Sequence, residues 1–238
     1  MKLNMLVIEG NKRAEKVNDL ELVRFQSYHV VEIFMFFLSK IDLDGSSKLT
    51  IYFEKRPSNK KRYVCDNYFH VSWYYVNESD IELLSSLEKS DKDEYFLNVI
   101  VKTLKSIAKI NHCNQEIFEE IDVASQKVLD SGFKLKLEIK KLSKISQDKR
   151  FRAKVYRNID NQGELWYVEI EDKDGNVYRH DLMEGPSHIS KVDFFKKSQW
   201  KGNRFVISNR LDYVVAAVDI DWYKSDILHS LAVDGKTI

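Results

Sequence analysis

Between Phe133 and Leu182 the chain alternates apolar and polar side chains in four successive stretches. Phe133, Leu135, Leu137 and Ile139 interleave with Lys134, Lys136, Glu138 and Lys140. Phe151, Ala153 and Val155 interleave with Arg150, Arg152 and Lys154, and Trp166, Val168 and Ile170 with Tyr167, Glu169 and Glu171. Successive side chains of a strand point to opposite faces, so each stretch reads as a half-buried strand. Asp174-Gly175-Asn176 has hairpin-turn chemistry and leads into a fourth strand at Val177–Leu182. The pattern predicts an antiparallel meander over residues 132–183, with one apolar and one charged face.

Upstream the period changes. Leu97, Ile100, Val101, Leu104, Ile107 and Ala108 recur at helical spacing, preceded by a short helix marked by Ile81, Leu84 and Leu87. A third helix starts near Gln115, with Asn114 as N-cap and Gly132 as the residue past its end. Before residue 78 the signals favour strands: Lys2–Ile8, Leu20–Phe25, Leu49–Phe53 and a long run over Tyr63–Val76. Val30–Leu38 fits a buried strand or a short buried helix, since periodicity alone does not decide, and its β-branched and aromatic residues favour the strand. After Pro186 a short helix near Val192–Lys197, strands at Arg204–Ser208 and Tyr213–Ile220, and a terminal helix at Trp222–Leu231 are expected. The fold class is therefore α+β: antiparallel meanders with a central helical segment packed on the apolar sheet face. One domain over 1–238 is expected, sub-divided into a β-rich 1–77, a helical 78–132 and a meander with C-terminal elements over 133–238.

Hydrophobic residues at 43% and charged residues at 32% exclude a disordered chain. Cys65 and Cys113 form no CxxC pair, which argues against a disulfide framework or a cysteine-based zinc site. The most apolar run, Val30–Leu38, is interrupted by Glu32 and falls short of the ~20 residues that span a bilayer. These features point to a cytoplasmic protein without membrane association.

Catalytic motifs are scarce. Asp42-Leu43-Asp44-Gly45 opens like a calcium loop, but Gly45 falls at the fourth position and Phe53 stands where the closing Glu belongs. A hairpin turn is the better reading. His180, Glu184 and His188 are spaced by four, but Gly185 and Pro186 interrupt any helix that would align them. Asp66, His70 and Ser72 have the composition of a triad, yet strand spacing separates them by ~6.6 Å or more, so a solvent-facing polar stripe is preferred. Asp219 and Asp221 form a D-x-D at a strand end, the least poor metal candidate, although Asp221 equally suits a helix cap. No P-loop, GxGxxG, HExxH or GxSxG occurs. The expectation is a protein without catalytic residues, bound metal or cofactor.

Charge is organised in blocks. Residues 78–133 carry 6 basic against 12 acidic side chains, and residues 134–157 carry 10 against 2. On the meander's polar face, Lys134, Lys136, Lys140, Arg150, Arg152 and Lys154 are expected to converge. Opposed like charges destabilise a sheet, and Glu169 and Glu171 on the third strand balance only part of them. The surface grades from basic to acidic, which favours a protein partner over nucleic acid. The reading is a non-catalytic macromolecule-binding protein, of the inhibitor or immunity type. A nucleic-acid-binding or metal-dependent phosphodiester-processing protein is the alternative.

Overall fold

The computed structural model of the protein describes residues 1–10, 17–88 and 91–220, with the backbone alone for 17–22. It is an α+β fold with four helices and three sheets among these residues. No described helix is long and apolar enough to cross a membrane. The chain divides into two compact units. One comprises Met1–Leu135 with Ile159–Gly163; the other comprises Lys136–Asn158 and the described residues from Glu164 onward.

In the first unit, β1 (Met5–Gly10), β2 (Lys48–Phe53), β3 (Tyr63–Asp66) and β4 (Val71–Tyr75) form one sheet in the order β1-β2-β4-β3. The β1–β2 and β2–β4 pairs are parallel, and only β3–β4 is antiparallel. A parallel pair needs a crossover of a dozen or more residues, and α1 (Val17–Phe37) supplies it. The strands expected at Leu20–Phe25 and Val30–Leu38 are therefore helical. Their β-branched and aromatic content is a local preference, and the longer window overrides it. Val23, Ser27, Val30 and Phe34 recur at intervals of four, three and four and are all buried.

The long strand expected over Tyr63–Val76 is instead a hairpin. Its turn is set by Asp66, whose carboxylate accepts the backbone N–H groups of Tyr68 and Phe69. Phe69, in that turn, consequently projects outward and is exposed. Three more helices follow: α2 (Glu78–Ser86), α3 (Lys92–Ile110) and α4 (Gln115–Asp130). Helices α1, α3 and α4 pack on one another, and the Phe96 ring of α3 meets Phe53 of β2 edge-on at 5.9 Å. Asn114 caps α4 through the Ile117 N–H, and Gly132 ends it at φ +59°, a conformation that favours glycine.

The Asp42–Ser47 turn joins α1 to β2 and so is not the turn of a hairpin. Asp42 accepts the Gly45 N–H and the terminal ammonium. Asp44 collects the hydroxyls of Ser46, Ser72 and Tyr63. Burial opposes ionisation of Asp44, yet these donors outweigh it and hold its pKa below the usual carboxylate value. Ser72 is thus a buried partner of Asp44, not part of a solvent-facing stripe.

The second unit stacks two antiparallel sheets. β5 (Leu135–Glu138), β7 (Phe151–Asp160), β8 (Gly163–Asp172) and β9 (Val177–Asp181) lie in that order, with the short β6 (Lys144–Ile145) paired to β7. β10 (Lys197–Lys201), β11 (Arg204–Ser208) and β12 (Val214–Asp219) form the second sheet. One core joins them, including Phe151, Val155, Trp166 and Ile170 from the first sheet and Phe205, Ile207 and Val218 from the second. The short helix expected near Val192–Lys197 is a single turn closed by Lys191, because Phe195 drops into the core against Trp166 at 4.9 Å and β10 begins at Lys197. The expected helix at Trp222–Leu231, and Asp221 with it, lies outside the described residues.

Candidate interaction face

Strand parity on β7 sends Phe151, Ala153 and Val155 inward and Arg152, Lys154 and Tyr156 outward. On β8, Trp166, Val168 and Ile170 point inward, while Tyr167, Glu169 and Glu171 share the outer face. β9 brings Arg179 opposite Glu169 and Asp181 opposite Tyr167. The expected graded surface is therefore built mainly by β7 and β8, bordered by β9 and by Lys136 of β5.

At its centre the rings of Tyr156 and Tyr167 stack, with centroids 5.2 Å apart and planes 20° apart. Lys136 Nζ lies 4.6 Å from the Tyr156 centroid, and the Arg179 guanidinium lies 3.9 Å from that of Tyr167. Both distances are those of cation–π contacts. Covered in this way, Tyr167 is only 3% exposed although it stands on the outer face.

The basic residues divide by role. Lys154 Nζ is 2.9 Å from Glu171, and Lys136 Nζ is 3.7 Å from Glu169. The Lys154–Glu171 hydrogen bond raises the lysine pKa and lowers that of the glutamate. Lys136 is raised chiefly by its hydrogen bond to Tyr167, which outweighs its desolvation, and Glu169 adds a smaller contribution. Arg150 turns to Asp148 in the β6–β7 turn and reaches Asn203 at 3.5 Å. Arg152 stands opposite Ile145 of β6, and both are exposed. Lys140 is exposed in the turn after β5, and Lys134 falls in the first unit. Among the described residues, no ion pair within 4 Å closes on Lys134, Lys140 or Arg152.

Tyr156, Tyr167 and Arg179 complete the face but were not among the residues singled out from sequence. Their signal was available. All three occupy the same outward parity as the charged residues around them. A second omission lies on the inner side of the same strands. Arg157 and Glu164, 8% and 0% exposed, sit on the apolar parity of β7 and β8. Arg157 Nε donates to Glu164 Oε2 at 2.7 Å, and Trp166 Nε1 donates to Glu164 Oε1 at 3.1 Å. The Lys191 N–H also donates to Glu164 Oε1, which ties the turn before β10 to β8.

The other sequence candidates fall elsewhere. His180 stands opposite Val168 on β9, and His188 lies beyond that strand. Asp219 ends β12 opposite Arg204. Among the described residues, no cluster of three or more histidine, cysteine, aspartate or glutamate side chains is arranged to hold a metal ion. Comparison of the chain with models of known protein families, with curated proteins and with solved structures finds no match.

Proposed function

We propose that this is a non-catalytic binding protein, of the inhibitor or immunity type, that holds a protein partner against the outer face of its β5–β9 sheet. The observation that supports it best is the Tyr156–Tyr167 stack held under Lys136 and Arg179. Tyrosine and arginine are favoured as interface anchors because they offer large amphipathic contact at small cost in conformational entropy. Arg179 and Tyr156 present that area, while Tyr167 lies covered beneath. Here those side chains are fixed before any partner arrives, which lowers the ordering cost of binding further. Lys136, Arg152 and Lys154 interspersed with Glu169 and Glu171 give a surface of mixed sign. Such a pattern discriminates among protein surfaces and fixes their register. A uniformly basic strip would suit a phosphate backbone better.

The test is partner capture with the purified protein as bait, followed by direct affinity measurement on the partner recovered. Reversing Lys136, Arg152 and Lys154 to Glu is expected to abolish a saturable, stoichiometric complex while the circular dichroism spectrum stays unchanged. Equal binding by the reversed variant would show that this face is not the one used.

A further inference from the structure

The end of the β5–β9 sheet carries a cleft whose charge is not balanced by its own walls. It has a volume of about 540 Å³ and lies between the β6–β7 turn and the β8–β9 turn. Lys149, Arg150, Arg152 and Lys173 line it, together with the carboxylates of Glu171 and Asp172. Both carboxylates are already engaged. Glu171 holds Lys154, and Asp172 accepts the N–H groups of Asp174 and Asn176 and the Asn176 side chain, which closes the hairpin turn. Arg150 gives its Nε to Asp148, and Lys173 Nζ lies 4.0 Å from Asp174. The hydrogen-bonding capacity left over is therefore mostly donor.

Arg152 is at the focus. It also lines a neighbouring cleft of about 290 Å³, shared with Lys144, Lys154 and one carboxylate, Glu138. Its cross-strand neighbour Ile145, 54% exposed, gives the larger cleft an apolar wall. A planar guanidinium with five donors matches a carboxylate in a bidentate arrangement. A cleft of this size holds more than one side chain, since pockets of roughly 300–1,000 Å³ accommodate drug-sized ligands.

We infer that this cleft receives an acidic segment of the protein partner, with Arg152 pairing one carboxylate and Lys149 and Lys173 flanking it. The inference rests on the protein-binding reading and names the chemistry of the partner. It is tested on the full chain, ¹⁵N-labelled, by titration with three probes: a blocked peptide of alternating Asp and Glu, its Asn/Gln counterpart, and inorganic phosphate. The acidic peptide is expected to shift amides within 144–154 and 171–173, and the Asn/Gln peptide to leave them in place. Arg152→Gln, which keeps a long polar side chain, is expected to weaken the acidic peptide roughly tenfold or more while distant amides stay fixed. No shift, equal shifts with both peptides, or unchanged affinity in the variant would overturn the inference. So would phosphate saturating the same shifts at the same concentration, since the site would then be one for small oxyanions. A partner lost on reversal of Lys136 and Lys154 alone, with a cleft silent to the acidic peptide, would leave the binding face standing and remove only the cleft.

Discussion

Two ion pairs bridge β7 and β8 from opposite faces, and the contrast between them separates what holds this unit together from what it presents outward. Arg157 and Glu164 lie on the inner face, removed from water, with Trp166 and the Lys191 N–H meeting the same carboxylate. Lys154 and Glu171 lie on the outer face, each about one-third exposed, with water on hand to replace either partner. Inside, a charge that loses its partner has nowhere to go, so each member is a condition for the other. Outside, the pair is screened and exchangeable, so its main effect is on what approaches the surface. The two cations stand three residues apart on β7 and the two glutamates seven apart on β8, yet one pair belongs to the buried architecture and the other faces water.

The largest effect is expected inside. Glu164→Ala strands the Arg157 guanidinium and leaves Trp166 Nε1 and the Lys191 N–H without their acceptor. The expected destabilisation is about 3–5 kcal/mol, read from urea unfolding followed by tryptophan fluorescence. The double variant Arg157→Met, Glu164→Leu removes the stranded charge and is expected to recover that part of the loss, while Trp166 Nε1 and the Lys191 N–H stay without their acceptor. A double variant no more stable than Glu164→Ala would mean that the pair is needed for more than its own charge balance.

That inner pair was legible and overlooked. Reading parity past Val155 places Arg157 on the apolar side, and reading it back from Trp166 places Glu164 there too. Two opposite charges on the buried parity of adjacent strands predict each other. The alternation of the meander was readable because a strand's period is short and four stretches repeat it. The helix α1 was not, because over Val30–Leu38 only Glu32 breaks the apolar run, and so short and so apolar a window carries no clear period. Only the spacing from Val23 through Phe34, together with the parallel β1–β2 pairing it permits, resolves the ambiguity. The turn at Asp66–His70 was hidden for a different reason: its aromatic residues mimic strand composition, while an aspartate side chain does the folding. On the outer face, charge singled out the lysines and arginines, but the tyrosine stack depends on cross-strand register, which the hydrophobic pattern does not specify at the level of single pairs.

A smaller effect is expected at the aromatic centre of the outer face. Arg179→Ala uncovers Tyr167 and removes a cation–π contact, expected to cost about 0.5–1 kcal/mol in the same unfolding assay. Its sharper signature is ultraviolet difference absorption, because Tyr167 passes from covered to wet. A loss as large as that of Glu164→Ala would collapse the contrast drawn between the two faces.

The smallest effect on stability, and the most direct test of exchangeability, belongs to Lys154 and Glu171. The hydrogen bond from Lys154 holds the folded-state pKa of Glu171 below its ordinary value of 4.5. The glutamate's share of the pair is therefore present above that value and lost as pH falls through the depressed folded pKa. The folded-state pKa of Lys154 is raised above 10.5, so its share is present below that value and lost as pH rises through the raised one. Between these limits Lys154→Gln is expected to lower the urea midpoint slightly, by less than Arg179→Ala does. The same substitution is expected to return the Glu171 titration, followed by side-chain carboxyl ¹³C shifts, towards 4.5, and added salt should shift the wild-type midpoint in the same direction. A Glu171 midpoint that ignores both salt and the Lys154 substitution would mean that the outer pair is as closed to water as the inner one, and the outer face would then have to be counted as architecture as well.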